Sequence, residues 1–165
     1  VDLGLALKGG GHAMAAGVTV TKDGLAALRE FLNDTLAEAV EAAGDADALV
    51  VDAAVAGRGI TLDLLRRVEQ AGPFGQGNPE PVFVLPEQRI ADAAVVGADH
   101  VRARLRSGDG ASLDAIAFRV VGSPLGDALL RGRGEVFHVA ARLGINHFRG
   151  AERVETRIAD AAPAG

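Results

Sequence analysis

The chain contains no cysteine, tryptophan or tyrosine, and apart from histidine its aromatic side chains are six phenylalanines. The missing cysteine excludes disulfides, cysteine-ligated zinc and a thiol nucleophile. No apolar run approaches the roughly 20 residues that span a membrane, and the first residues do not form a secretory signal. We therefore expect a cytoplasmic protein without membrane contacts.

Composition and charge favour a globular protein whose second half contacts its ligand. Apolar residues make up 48% of the 165 residues, so Ala, Val and Leu must fill the core. Residues 1–80 carry 6 Lys and Arg against 12 Asp and Glu, whereas residues 81–165 carry 11 against 10. Every basic residue of the second half is an arginine, and guanidinium groups bind phosphates and stack on bases.

Helical periodicity dominates the first half of the chain. Leucines recur at three and four residues after Asp23, Thr21 is a suitable N-cap, and Gly44 is a suitable terminator. The chain starts at Val1 and its single methionine is Met14, so we expect a fragment of a longer protein. The elements expected here are a helix over 23–43, a strand over 49–55 and a second helix over 61–71.

Beyond residue 81 the apolar residues alternate with polar ones, which is typical of strands. Glycine-rich turns separate the alternating segments, and a short helix is expected over 124–130. Five short strands with one intervening helix fit a small barrel of the OB type. The expected strands are 89–96, 101–106, 112–120, 135–145 and 153–158.

Gly9-Gly10-Gly11-His12 is the most unusual local sequence, and small residues follow it as far as Gly17. Glycines let backbone N–H groups approach an anion, and a helix beginning near His12 would direct its positive end to the same point. His12 would add a charge-assisted hydrogen bond to a phosphate oxygen. The alternative is an ordinary strand-to-helix turn with a solvated or core-bonded histidine.

Arg102, Arg104 and Arg106 alternate with apolar residues and should project from one face of a strand. This row predicts contact with a phosphate backbone, and a solvated strand face is the alternative. Arg149, near the following turn, belongs to a weaker set of the same kind. Single-strand binders usually add aromatic platforms, and of the phenylalanines only Phe148, in a turn, is placed to stack.

Two further phenylalanines, Phe118 and Phe137, lie on expected strands and are assigned to the core. We interpret the isolated aspartates as caps, turn residues or surface charges, because no spacing brings two carboxylates together. The four histidines are scattered, and none lies beside a carboxylate at the spacing of metal ligands. Neither catalytic residues nor a metal site is therefore expected in this chain.

The segment from Pro73 to Pro81 contains three prolines and two glycines, too many for a regular element. We place a domain boundary there. Gly75 and Gly77 offer backbone donors and Asn78 offers a side-chain amide, so the loop is a second candidate substrate contact. A structural role as a fixed domain junction is the alternative.

Three segments resemble, in family order, those of the RecJ branch of the DHH phosphoesterases. Lys8 to Gly17 resembles the signature of the DHH-associated domain, Gly72 to Phe83 a hallmark of the RecJ branch, and Ser112 to Phe118 a segment of its OB domain. The resemblance implies an α+β fold. Its parts would be a partial α/β DHH-associated domain over 1–80 with a junction loop at 73–81, a five-stranded OB-type β-barrel over 81–160 and a flexible tail over 161–165.

The resemblance also implies a function. RecJ-type enzymes degrade single-stranded DNA from the 5′ end, using Mn²⁺ or Mg²⁺ held by a DHH domain. The Asp-His-His motif of that domain is absent here, so the implied role is the substrate-binding half of a 5′-to-3′ exonuclease of DNA repair and recombination. The implied partners are single-stranded DNA, the protein's own N-terminal DHH domain and repair proteins.

A competing hypothesis is a non-catalytic OB-fold module that binds a nucleic acid or a protein, with the acidic first half as a scaffold. A small-nucleotide hydrolase of the DHH superfamily is disfavoured, because those enzymes lack the OB extension.

Overall fold

The computed structural model describes residues 4–12, 15–42, 48–148 and 150–165, with the side chain of Phe148 excepted. The chain divides into two compact units, residues 1–48 and residues 49–165. Among the described helices, none combines the length and the hydropathy needed to cross a bilayer.

The first unit contains an antiparallel hairpin and one helix. Strands β1 (Lys8–His12) and β2 (Ala15–Thr19) pair along their whole length, and helix α1 spans Leu25–Ala42. Oγ1 of Thr21 accepts a hydrogen bond of 3.1 Å from the N–H of Gly24 in the turn before the helix. The expected helix over 23–43 is confirmed with a start two residues later, and Thr21 lies too far before Leu25 to be its N-cap. Its terminator, Gly44, lies outside the described residues.

The expectation of a helix beginning near His12 is wrong. His12 is the last residue of β1 and is paired with Ala15, and the first helix begins at Leu25. The three glycines are part of β1, and β2 separates them along the chain from the helix. The apolar alternation that would have indicated these strands is missing, because glycine and alanine occupy most positions.

The second unit is a closed barrel with short helices around it. Its sheet has the order β3-β4-β5-β6-β8-β7, and β4 also pairs with β7, which closes the barrel through five strands. The β6–β8 pairing is parallel, and the other pairs of the barrel are antiparallel. The elements are β3 (Ala53–Ala54), a 3-10 helix (Gly57–Gly59), α2 (Leu62–Glu69), β4 (Phe83–Val96), β5 (His100–Arg106), β6 (Ser112–Ala117), α3 (Pro124–Arg131), β7 (Val136–Phe148) and β8 (Ala151–Pro163).

The OB-type barrel is thus confirmed, including the helix between its third and fourth strands. Its core consists of the inward residues of each strand, as period-2 alternation requires. Leu85, Ile90, Leu105 and Val139 are fully buried there, and Leu129 of α3 covers one end. Burial of such side chains contributes roughly 1.5–3 kcal/mol each, so they hold the barrel as a rigid support for its outer face.

Helices α2 and α3 each begin at a hydroxyl N-cap. Thr61 Oγ1 accepts from the N–H of Leu64 at 3.2 Å, and Ser123 Oγ accepts from the N–H of Gly126 at 3.2 Å. These caps satisfy backbone donors that the first turn leaves unpaired. Leu65 of α2 is buried in the barrel core, so this helix belongs to the second unit.

The structure departs from several expected boundaries: among the barrel strands, β4 begins at residue 83 and not at 89, and β6 ends at residue 117 and not at 120. The expected strand over 49–55 is reduced to the two residues of β3, which pair with Phe83 and Val84. The compact units divide at residue 48 and not at residue 80, because β3 and α2 pack on the barrel. The expected flexible tail over 161–165 is partly strand: Ala161 to Pro163 pair with β7, and the N–H of Ala164 donates to Val136 O at 2.9 Å.

Candidate nucleic-acid interface

The arginines of β5 lie on the outer face of the barrel, as predicted. Arg102, Arg104 and Arg106 are exposed, whereas the alternating residues Val101 and Leu105 are fully buried. In OB folds the outer face of the second and third strands binds oligonucleotides. Strands β5 and β6 occupy those two positions here, so the row stands on the face that this fold uses for binding.

Arg104 is neutralised by its neighbours. Its Nε lies 3.1 Å from Oδ1 of Asp114 on β6, and Asp92 on β4 is its other cross-strand neighbour. One carboxylate therefore pairs with the guanidinium, and a second lies at the opposite cross-strand position. Although Arg104 belongs to the predicted row, it is the least available of the three to bind a phosphate.

Arg102 has a different setting. Its cross-strand neighbours are Ala94 on β4 and Ile116 on β6, and among the described residues it makes no ion pair. Because neither neighbour carries a charge, the guanidinium is available to an external anion. Arg102 also stands at the edge of an open groove.

The groove lies between β6 and the hairpin formed by β7 and β8. Strands β6 and β8 pair at only two positions, Ala115 with Thr156 and Ile116 with Arg157, and the groove opens beside this short contact. Its volume is about 330 Å³. The lining residues are Arg102, Asp114, Ala115, Ile116, Asn146, Arg153, Val154, Glu155 and Thr156.

The far wall of the groove carries polar groups that the sequence analysis did not identify. Asn146 and Arg153 face each other across the hairpin, and the Asn146 amide donates to Glu155 Oε1 at 3.3 Å. Arg153 is exposed and supplies a second cation opposite Arg102. Only the pairing of β7 with β8 brings these residues to the groove, and the spacing of the sequence contains no such signal.

The outer end of the hairpin is braced by α2. Nη2 of Arg66 lies 2.6 Å from Oε2 of Glu152, and Nδ1 of His147 lies 3.7 Å from Oε1 of the same carboxylate. A hairpin this long would otherwise project without support. The brace therefore fixes the position of the wall that contains Asn146 and Arg153.

Phe118 is exposed, which corrects its assignment to the core. It lies in the turn after β6 with 48% of its surface accessible, whereas Phe137 is buried as expected. Its ring meets that of His100 edge to face, with 5.1 Å between the centroids. Nδ1 of His100 accepts from the N–H of Arg119 at 3.0 Å, which holds the imidazole in place. The pair forms a fixed aromatic surface at the end of β5 and β6.

The turn between β5 and β6 is held by the 3-10 helix. Oδ2 of Asp109 accepts from the N–H of Arg58 at 2.7 Å, and its Oδ1 accepts from the N–H of Ala111 at 3.0 Å. The hydrogen bonds from Arg58 and Ala111 lower the pKa of Asp109. A Cβ on Gly57 would lie 2.6 Å from Cβ of Ser107, so this close approach requires glycine.

The glycine-rich segment is part of an exposed ladder. Gly10 is paired with Gly17, which leaves a patch free of side chains beside Lys8. A Cβ on Gly11 would lie 2.7 Å from Ala15 O, so a side chain there would clash with the neighbouring strand. His12 is exposed at the end of the strand. Since Gly10 and Gly17 have open space above them, the patch is accessible, and the backbone groups that face the partner strand are engaged in pairing.

The proline-rich loop is held by its own contacts. The N–H of Gly75 donates to Asn78 O at 2.8 Å, and the Asn78 amide donates to Ala71 O at 2.9 Å and to Pro73 O at 3.2 Å. Both amide hydrogens are thus engaged, which favours the structural alternative for this side chain. Gly77 has open space around it. Glu80 at the end of the loop forms an ion pair with Arg157 of β8.

Arg149 lies outside the described residues, so its predicted role stays a prediction. Within the described residues, no three His, Asp or Glu side chains are grouped so that they could hold a metal ion.

Comparison with known proteins identifies the second unit. The model of the RecJ OB domain family matches residues 51–160. The single-stranded-DNA-specific exonuclease RecJ of Dickeya dadantii is 35% identical over 158 residues, and its Escherichia coli counterpart is 31% identical over 156. Each comparison covers 94% of this chain and 26% of the relative. The chain thus spans about a quarter of the length of these relatives.

The fold has a counterpart of known structure. Thermus thermophilus RecJ, solved in complex with Mn²⁺, superposes with a TM-score of 0.57 at 24% identity, covering 99% of this chain and 23% of that one. At this identity the likeness concerns the fold. Because the family match includes the strands, the α3 helix and both walls of the groove, the chain belongs to the RecJ OB domain family.

Proposed function

We propose that the barrel binds single-stranded DNA across the outer face of β5 and β6, with the groove beside the β7–β8 hairpin as the central contact. The observation that carries this proposal is the placement of Arg102 and Arg153 on opposite sides of the groove. Cations on both sides of the groove would bind phosphates of one strand, while Ile116 in the lining offers an apolar contact to a base or sugar.

The aromatic pair extends this surface. Phe118 and Ile116 occupy alternate outward positions along β6 and the turn that follows it. A base that leaves the groove in this direction would stack on the exposed Phe118 ring, whose orientation His100 fixes. Stacking on such a platform is indifferent to sequence, because every base has a π-face.

In the complete protein this surface would serve a metal-dependent 5′-to-3′ exonuclease of repair and recombination. The names of the relatives support this proposal, and so does the Mn²⁺ bound in the Thermus thermophilus RecJ structure. The hydrolytic centre and its Mn²⁺ or Mg²⁺ would belong to a DHH domain, and the first unit would be part of a DHH-associated domain. The enzyme would act in the cytoplasm, with repair proteins as further partners.

Because the hydrolytic centre would belong to the DHH domain, we expect this chain to bind DNA without cutting it. Gly9 to His12 would face the metal centre from the DHH-associated domain and contact the DNA backbone. The corresponding test is incubation with labelled single-stranded DNA and Mn²⁺. Hydrolysis that persisted in the variant His12→Ala would contradict the proposal.

Binding is tested by fluorescence anisotropy with a labelled oligonucleotide at several salt concentrations. We expect affinity to fall with salt, and the log–log slope to shrink by about 0.7 for each phosphate contact that Arg102→Gln or Arg153→Gln removes. Arg131→Gln is the matched control, because this exposed arginine on α3 pairs with Asp127 and does not line the groove. Its slope should equal that of the unmodified chain.

The alternative function is a protein-binding OB module. Binding of DNA without a salt slope, or with unchanged affinity in both groove variants, would favour it. The exposed arginine row and the neutral neighbours of Arg102 favour DNA.

A further inference from the structure

Arg89 and Arg106 form a like-charge pair at the end of β5 opposite from Phe118. Arg89 on β4 is the direct cross-strand partner of Arg106, and Ser112 on β6 is the partner on the other side. Side chains that are directly opposite in an antiparallel pair have their Cβ atoms about 4.5–5.5 Å apart, and like charges placed there destabilise the sheet.

The charges of this pair are not compensated by the carboxylates that the structure describes. Within the described residues, neither Arg89 nor Arg106 has an acidic oxygen within ion-pair distance, whereas Arg104 on the same face is paired with Asp114. The guanidinium of Arg89 donates instead to the carbonyl oxygen of Gly134, which fixes its position without neutralising it. The positive charge of both side chains is therefore open to an external anion.

The two arginines line an open cleft with a volume of about 560 Å³. Ser107 and Gly108 contribute a hydroxyl and a backbone without a side chain, and a Cβ on Gly108 would meet nothing within 4 Å. Glu87 contributes the one acidic side chain of the lining, and it forms no ion pair with either arginine. Val136, Ala164 and Gly165 complete the lining, so the cleft brings two guanidinium groups together in a space large enough for a phosphate group.

The turn that carries Ser107 and Gly108 is held in place before any ligand arrives. The N–H of Ser107 donates to Ala111 O at 3.0 Å, and Asp109 fastens the same turn to the N–H of Arg58 at 2.7 Å. Donors that are already positioned bind an anion with less loss of side-chain freedom.

We propose that Arg89 and Arg106, with Ser107 and Gly108, form a second phosphate-binding site that takes a backbone phosphate of the bound single strand. The site rests on the proposed function, and it extends the contact from the groove to the far end of β5. A free phosphate or pyrophosphate would satisfy the same donors, so both sources enter the test.

The first experiment measures the salt dependence of oligonucleotide binding for Arg89→Gln, Arg106→Gln and the double variant. Each loss of a phosphate contact should reduce the slope by about 0.7, and affinity at low salt should fall roughly three- to tenfold per arginine. Arg131→Gln on α3, which lines neither the groove nor the cleft, is the matched control, and it should leave the slope unchanged. Arg106→Lys retains the charge and should retain most of the slope.

Stability provides an independent measurement. If the pair exists for a ligand, Arg106→Gln relieves repulsion in the free protein, and its thermal midpoint should equal or exceed that of the unmodified chain. A clear fall of the midpoint would assign Arg106 a structural role and overturn the proposal. Pyrophosphate should raise the midpoint of the unmodified chain more than that of the double variant.

The outcomes separate this site from the groove. A salt slope of oligonucleotide binding that falls in Arg102→Gln but not in the Arg89 and Arg106 variants would overturn the second site. That result would leave the proposed function intact. If the unmodified chain binds no oligonucleotide, the proposed function fails. In that case, saturable pyrophosphate shifts in the NMR signals of both arginine side chains would support an anion site for free phosphates, and unshifted signals would overturn it.

Discussion

The backbone N–H of Arg58 donates a hydrogen bond of 2.7 Å to Oδ2 of Asp109, which joins two turns separated by 51 positions in the chain. The contact fastens the β5–β6 turn to the 3-10 helix, and Gly57 permits the approach. Since the phosphate-binding donors of Ser107 and Gly108 lie in this turn, the stability of the contact bears on both folding and binding.

Asp109 should make the stability of the barrel depend on pH. Its hydrogen bonds lower its pKa in the folded state, so its contribution is present above the ordinary aspartate pKa of about 3.9 and is lost as the pH falls through the lower folded value. Asp109→Ala should therefore be less stable than the unmodified chain at pH 7. The difference should shrink toward pH 3, as measured by urea unfolding at each pH.

Asp63→Asn is the control for this pH series, because Asp63 is exposed and its ion pair with Arg67 spans one turn of α2. Exposed pairs of this kind contribute about 0.3–0.5 kcal/mol, so the control should change little at pH 7. An Asp109→Ala deficit that stayed constant from pH 7 to pH 3 would mean that its carboxylate is not the cause.

Gly126→Ala should destabilise the barrel strongly. A Cβ at this position would lie 1.9 Å from the carbonyl oxygen of Val120, a backbone atom that cannot move aside cheaply. Overpacking of this kind typically costs about 1–3 kcal/mol, and we expect the upper end of that range in chemical unfolding. Gly77→Ala, which has open space around its Cβ, should unfold at nearly the same denaturant concentration as the unmodified chain.

Phe118→Ala should weaken DNA binding without lowering stability, because nearly half of this side chain is exposed. Loss of one stacked base corresponds to about 1–3 kcal/mol, or roughly 5- to 150-fold in affinity. Phe118→Tyr keeps the ring and should bind like the unmodified chain. Equal affinity of the alanine and tyrosine variants would remove Phe118 from the interface, whatever the fate of the arginine sites.

The first unit should exchange its amide hydrogens much faster than the barrel. No residue of α1 is buried, and its apolar side chains Leu32, Leu36 and Val40 are 41%, 48% and 67% exposed. Segments with few buried contacts open at low free energy. Hydrogen–deuterium exchange followed by mass spectrometry should show α1 deuterated well before β5. Equal protection of the two would indicate that the helix is covered in solution.

The barrel could be predicted from the sequence because its strands alternate visibly between apolar and polar residues. The exposure of Phe118 could also have been predicted: it continues the outward series of Ser112 and Asp114, whereas Leu113 and Ala115 point inward. Its assignment to the core relied on the aromatic residue type and ignored the alternation of inward and outward positions along the strand.

Other features depend on pairings that no local pattern reveals. The neutralisation of Arg104 by Asp114 and the repulsion between Arg89 and Arg106 both require the register of the sheet. The hairpin of β1 and β2 was hidden for another reason, since glycine and alanine carry little periodicity. Thus charge in the sequence indicated a binding face, but only the register shows which arginines are available.

The shortness of the β6–β8 contact has a consequence for how the barrel assembles. Its two residue pairs, Ala115 with Thr156 and Ile116 with Arg157, close a loop of about 40 residues, whereas β4, β5 and β6 are joined by short turns and β7 and β8 by a hairpin. Closing the long loop costs more chain entropy than forming either local piece. We therefore expect this junction to form after both local pieces during folding, with Thr156→Ser speeding unfolding and leaving the folding rate nearly unchanged in stopped-flow measurements.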